Sequence, residues 1–227
     1  MMAHLTTTQA KQLGDDYNVV EGTMNLVQGL YLNNSFEPFQ NEQVRQALCY
    51  GIDRDEIIDM VSDGKGVKVG SSMFPNFRKY FEPELADKYS YDVDKAKELL
   101  AEAGYGDGFS FTITVPANYP QHVDTAQIIA EQLKKIGVTA EINQVEWNTW
   151  LDDTYGNRNF EATLVGVDAS YFAASAMLSR FNADAKNNFI NYSNPDYDAA
   201  YAAARSTADE DAQTAAYKQC EEILACL

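Results

Sequence analysis

Residues 109–145, FSFTITVPANYPQHVDTAQIIAEQLKKIGVTAEINQV, decide the fold class. The opening run, 109–115, is rich in β-branched and aromatic side chains and reads as a strand. A helix is expected over about 123–136, with Gly137 placed as its left-handed stop, and Val138 to Val145 reads as a second strand. Two strands joined through a helix cannot form a hairpin. The crossover returns the second strand parallel to the first, and such units are right-handed, so the central sheet should be largely parallel with helices on its faces. The class is therefore α/β.

Upstream of this unit, Asp92 caps a helix whose Ala96, Leu99, Leu100 and Ala103 form one apolar stripe, and Gly104 ends it. Glycine, proline and aromatic residues alternate without a period over 64–90, which predicts a long irregular loop over the surface or into a cleft. Before the loop, Asn41 caps a helix carrying Val44, Ala47 and Leu48, and Asp53 caps a second carrying Ile57, Ile58 and Val61. The first thirty-odd positions read as a short polar helix at 6–13 and strands at 17–21 and 26–32. Downstream, a helix is expected at 147–155, a strand at 160–167, an aromatic segment at 171–181, and helices at 195–206 and 209–224. No internal repeat or low-complexity tract interrupts the pattern.

With 227 residues, 45% of them hydrophobic, the chain has the material for a packed core. Seventeen basic against 34 acidic residues give a net charge of −17, which disfavours nucleic acid and anionic membrane surfaces as partners and reads as a solvated surface. No run approaches the roughly 20 apolar residues of a membrane span, and 1–13 lack the basic-then-apolar order of a signal peptide. Cys49, Cys220 and Cys226 show neither a CxxC pair nor zinc-site spacing. Cys49 reads as a small core residue and Cys226 as terminal and exposed; neither reads as catalytic.

Several segments together resemble the oligopeptide-binding family of solute-binding proteins, whose dipeptide- and nickel-binding relatives share the fold. The most specific are Pro38-Phe39, then Val44-Arg45-Gln46-Ala47-Leu48, then Ile52-Asp53-Arg54-Asp55 with Ile57-Ile58. Asp92, Ala96-Lys97, Leu99-Leu100 and Ala103-Gly104-Tyr105 are similar to a second family element, 133–137 to a third, and Asn194-Pro195 with Asp198 to a fourth. These motifs are structural; Arg45 and Asp53 read as local ion-pair or capping residues. The resemblance implies one α/β lobe, spanning 1–227, of a two-lobed periplasmic-binding-protein-like fold with a mixed sheet, which closes over its ligand against a second lobe. It implies a capture module of an ABC importer, working with a transporter permease and binding peptides. It also implies an extracytoplasmic protein, lipid-anchored at full length, with the export signal and the other lobe outside this stretch.

The same resemblance supplies site candidates. Trp147, in Glu146-Trp147-Asn148-Thr149-Trp150, is similar to a family tryptophan that lines the peptide pocket, and a flat indole suits varied side chains. Trp147 and Trp150 are also spaced to share a helix face packed on the sheet, the better reading for Trp150. Gly166-Val167-Asp168-Ala169-Ser170-Tyr171 falls on the family's second pocket segment. There Val167 replaces a tryptophan, and Ser170 replaces the aspartate that holds a peptide's ammonium group. A hydroxyl cannot replace that charge-assisted contact, so Asp168, two places earlier on the same strand face, is the better candidate. His122 matches a family histidine near the bound peptide's carboxylate, where a helix N-terminus favours anions; an exposed turn histidine is the alternative. Tyr119 is an aromatic at the cleft edge.

The rival functions are weaker. No GxSxG, HExxH, Walker A or GxGxxG pattern occurs and His4 is the only other histidine, so no catalytic residues are assigned and an enzyme is not expected. No cofactor is implied. A relative binding a non-peptide solute or a nickel complex is the alternative, although no His, Cys, Asp and Glu cluster has ligand spacing. A non-catalytic surface domain that has lost its ligand is the third reading. The isolated chain is expected to be a monomer, or a weak dimer through its cleft face.

Overall fold

The computed structural model describes residues 7–13, 17–22, 24–168 and 173–225. In chain order, helix α1 (Thr7–Gln12) precedes strand β1 (Leu26–Leu32), and the one-turn α2 (Glu37–Gln40) leads into α3 (Glu42–Gly51) and α4 (Arg54–Ser62). Two 3-10 turns, Pro75–Tyr80 and Pro83–Asp87, break the following loop before α5 (Val93–Glu102). Then come β2 (Phe109–Pro116), α6 (Pro120–Lys134), β3 (Val138–Val145) and α7 (Trp147–Thr149), which runs into a π-helical turn, Trp150–Gly156. Strand β4 (Ala162–Asp168), α8 (Ala174–Leu178), a 3-10 turn Ser179–Phe181, α9 (Pro195–Ser206) and α10 (Glu210–Leu224) complete the chain.

The four strands form one mixed sheet in the order β1-β4-β2-β3. Strands β2 and β3 pair in parallel along their whole length, from Phe109↔Val138 to Pro116↔Val145, as the β-α-β pattern requires. Strand β1 runs antiparallel to β4, from Leu26↔Asp168 to Leu32↔Ala162. The central parallel pair, β2 with β4, is short: Ile113↔Ala162 and Thr114↔Thr163. The tight entry to β2 needs glycine, since Gly108 has φ +80 and a Cβ there would lie 1.9 Å from the Gly137 carbonyl oxygen.

The polar motif residues shape the helices. Asn41, Asp53, Asp92, Asn194 and Asp209 each accept backbone N–H groups at the start of α3, α4, α5, α9 and α10. Each such cap stabilises its helix by about 1 kcal/mol. Arg45 donates to the carbonyls of Phe39 (2.7 Å) and Gln40 (3.2 Å), closing the end of α2. Arg54 donates to the carbonyls of Val69, Ala86 and Tyr89, and so ties the long loop down against α4. The charged residues of the sequence motif thus hold backbone in place.

Each face of the sheet carries its own core. Phe111, Ile113, Val115 and Leu164 meet α3, α5 and α6 through Leu48, Leu100, Ile129 and Leu133. Val27 and Val167 point the other way, to Met73, Phe74, Phe77, Leu178, Tyr197 and Tyr217. The loop expected over the surface or into a cleft is therefore partly core, because Met73, Phe74 and Phe77 are buried. The strand expected at 17–21 is an irregular, exposed segment, with Val20 85% exposed; its β-forming side chains have no sheet face to cover. The aromatic segment's described part is α8 and its 3-10 turn. Among the described helices, none is long and apolar enough to cross a membrane.

One buried charge site lies beside the second core. Glu221 on α10 is 1% exposed, and its Oε2 accepts the Ser71 hydroxyl at 2.9 Å. Burial pushes its carboxyl up to about 8. A folded value raised above the unfolded one gives stability that is complete below the ordinary glutamate range and is lost as pH rises through about 8. Relative to Glu221→Gln, which cannot ionise, the wild type should therefore lose up to about 1.4 kcal/mol per pH unit between pH 5 and 8. Urea titrations of both proteins at a series of pH values measure this, and parallel curves would contradict a buried, neutral carboxyl.

Candidate functional site

Parallel pairing places the carboxyl ends of β2, β3 and β4 at one end of the sheet. The antiparallel β1 brings its amino end there, with Leu26 opposite Asp168. In open α/β sheets this is the end where ligands sit. The chain leaving β2 supplies Tyr119 and His122, the chain leaving β3 supplies Trp147, and Asp168 is the last residue of β4.

Three of these residues form a continuous line of rings. Tyr119 lies 5.3 Å from His122 and 5.5 Å from Trp147, edge-on to the latter at 78°. Trp147 in turn stacks on Trp150 at 5.2 Å with only 9° between their planes. Trp150 is buried, and its Nε1–H donates to the Thr163 hydroxyl at 2.9 Å, which donates to the Thr114 carbonyl at 2.7 Å. Behind it, Tyr155 and Phe189 continue the aromatic packing. The expected helix at 147–155 is instead one α-turn followed by a π-turn, a backbone form frequent at functional sites. Trp150 is thus the anchor and Trp147 the half-buried ring resting on it.

The helix α6 begins at Pro120, three residues earlier than its apolar pattern indicates, so His122 lies in its first turn. The imidazole is 3% exposed, and is no exposed turn histidine. The Gly166 N–H donates to its Nε2 at 3.1 Å, so the proton is on Nδ1, which donates to Gln28 Oε1 at 2.5 Å. Both ring nitrogens are engaged inside the protein. Burial lowers the ring's pKa to about 4, which keeps it neutral.

Asp168 is exposed and, two residues beyond Gly166, lies on the same pleated face, the one turned toward α6 and His122. Ser170 and Tyr171 lie outside the described residues, as does Cys226. Sequence reasoning missed Gln28, although a polar residue at a core-facing position of the strand LVQGLYL was a usable signal. It also gave no site role to Thr163, which holds Trp150. Among the described residues no group of three or more His, Cys, Asp and Glu could hold a metal ion. Burial pushes the Cys220 thiol up to about 12 and raises that of Cys49, so neither is a ready nucleophile.

Comparison with known proteins adds a family context to this geometry. The model of the bacterial extracellular solute-binding proteins, family 5 (middle region), matches residues 1–189. Di/tripeptide-binding protein 1 of Pseudomonas aeruginosa is 32% identical over 200 residues, covering 85% of this chain and 36% of the relative. A dipeptide binding protein from Pseudoalteromonas sp. SM9913, solved in complex with Met-Leu, superposes with a TM-score of 0.86 at 28% identity, covering 97% of this chain and 45% of that one. The protein AgaA of A. tumefaciens R10, solved with agropinic acid, gives a TM-score of 0.80 at 26% identity over 89% of this chain and 42% of that one. The chain spans less than half the length of each.

The buried imidazole makes stability depend on pH. Its folded value, about 4, lies below the ordinary 6.5, so the unfolded chain takes up the proton first. The stabilisation is present above pH 6.5 and is lost as pH falls toward 4, by up to about 3 kcal/mol. His122→Gln removes this titration, and its melting temperature should fall less than that of the wild type between pH 7 and 4.5. Thermal melts followed by circular dichroism check this; an unchanged difference across the range would contradict a buried neutral ring.

Proposed function

Because the chain belongs to the bacterial extracellular solute-binding proteins of family 5, we propose that it is a ligand-capture lobe of an ABC importer, binding peptides at the carboxyl end of its sheet. The observation that carries this reading is Trp147, half-buried and braced by Trp150 and Tyr119 where three parallel strands end. A braced indole offers a flat apolar surface whose ordering cost is already met, which suits ligands that differ in side chain. Asp168, at the same end of the sheet, would hold a ligand ammonium group. His122, its nitrogens engaged within the protein, would support Tyr119 and leave a ligand carboxylate to other groups. The resemblance makes Ser170 and Tyr171 further ligand candidates.

The full protein would be extracytoplasmic and lipid-anchored, close over its ligand with a second lobe, and deliver it to a transporter permease. Catalysis is not part of this reading, and the named relatives are binding proteins. A second reading, a non-peptide solute, is favoured by one observation: the similar AgaA holds agropinic acid.

Mass spectrometry of small molecules released from the full-length protein separates these readings. A peptide mixture supports the first, one defined metabolite the second. With peptides, Trp147→Ala should weaken all ligands similarly, while Asp168→Asn should weaken those with a free amine and spare their N-acetylated forms. Each loss should be about 1–3 kcal/mol by calorimetric titration. Equal effects of Asp168→Asn on free and acetylated peptides would remove Asp168 from the amine site.

A further inference from the structure

Gln28 lies in β1, two strands from β2, yet its side chain enters the site from beneath. It reaches across Gly166, its register partner on β4, where there is no side chain to block it. That position tolerates no other residue without movement, since a Cβ would come within 2.6 Å of Leu26 Cδ2. The result is a directed line of hydrogen bonds. The Gly166 N–H donates to His122 Nε2 (3.1 Å), and His122 Nδ1–H donates to Gln28 Oε1 (2.5 Å). Gln28 Nε2–H then donates to Thr125 Oγ1 (2.8 Å), whose hydroxyl donates to the Gln121 carbonyl (2.8 Å).

The line begins at a backbone N–H, which can only donate, and ends at a backbone carbonyl, which can only accept. Every group between them is therefore fixed in direction: the threonine rotor, the amide orientation of Gln28 and the tautomer of His122. The line also spans the sheet where the ladder is interrupted. Strand β4 pairs with β2 only at Ala162 and Thr163, so the Gly166 N–H finds its acceptor in the histidine ring. That ring lies against Tyr119, which lies against Trp147.

We propose that Gln28 is a positioning residue of the binding site, fixing the His122 tautomer and through it the strand-end opening and the seat of Tyr119. Its ligand arm rests on the functional reading above; its spectroscopic arm does not. In the 15N-labelled wild-type chain, long-range 1H–15N spectra should show His122 protonated at Nδ1, with a slowly exchanging Gly166 amide. Gln28→Met keeps the side-chain length and removes the acceptor. It should broaden the Nδ1–H signal by exchange, speed Gly166 amide exchange about tenfold, and weaken tri-alanine binding by the full-length protein about three- to tenfold, the effect of one hydrogen bond. Gln28→Glu retains the acceptor and should retain the Nδ1–H form. A wild-type ring protonated at Nε2, or a Gln28→Met protein with unchanged Nδ1–H signal and Gly166 exchange, overturns the proposal. If wild-type protein does not bind tri-alanine, the peptide reading fails and the spectra alone decide the role of Gln28.

Discussion

The early parting of β2 and β4 is the constraint on which the rest of this end of the molecule depends. Two strands that pair over two positions leave buried backbone groups beyond the pairing, and such groups need partners. Side chains provide them here. Within the pairing the Thr163 hydroxyl donates to the Thr114 carbonyl, and beyond it His122 accepts the Gly166 N–H. Both substitutes are polar residues brought from positions that sequence patterning assigns to core strand or helix start. Closing the ladder with main-chain bonds would remove the opening these side chains occupy.

Above the opening, the arrangement separates rigidity from exposure. Trp150 is buried and hydrogen-bonded through its indole N–H, so it is a fixed surface; Trp147 lies almost parallel on it and keeps part of its own surface free. Tyr119 closes the edge. Aromatic contacts of this kind each contribute about 0.5–1.5 kcal/mol beyond area burial, which is enough to hold a ring in place before any ligand arrives. Asp168, at the same end of the sheet, is exposed.

Part of the strong acidity of the chain is paired at the surface. The ion pairs of Lys68 with Asp55 and Asp87, and of Lys95 with Glu98, are on the surface, where such pairs contribute little. Two buried titratable groups, His122 and Glu221, behave differently from that surface and from each other. His122 is held neutral by loss of its proton and Glu221 by retention of its own, so neither adds charge to the interior near neutral pH.

The sequence by itself determined what depends on neighbours along the chain. The β-α-β unit, the caps at Asn41, Asp53 and Asp92, and the α/β class were all legible, because caps and apolar periods act within a few residues. The resemblance that singled out Trp147 was likewise read from residues adjacent in the chain. Where the reading failed, the deciding partner was distant. The segment 17–21 has strand-forming residues but no sheet face; the loop through Met73, Phe74 and Phe77 became core because α10 and the sheet meet it there. Only the tertiary structure could show that His122 is sealed between β4 and Gln28, 94 residues away in sequence, because the bond lengths of one hydrogen-bond line are set by the packing of three separate elements.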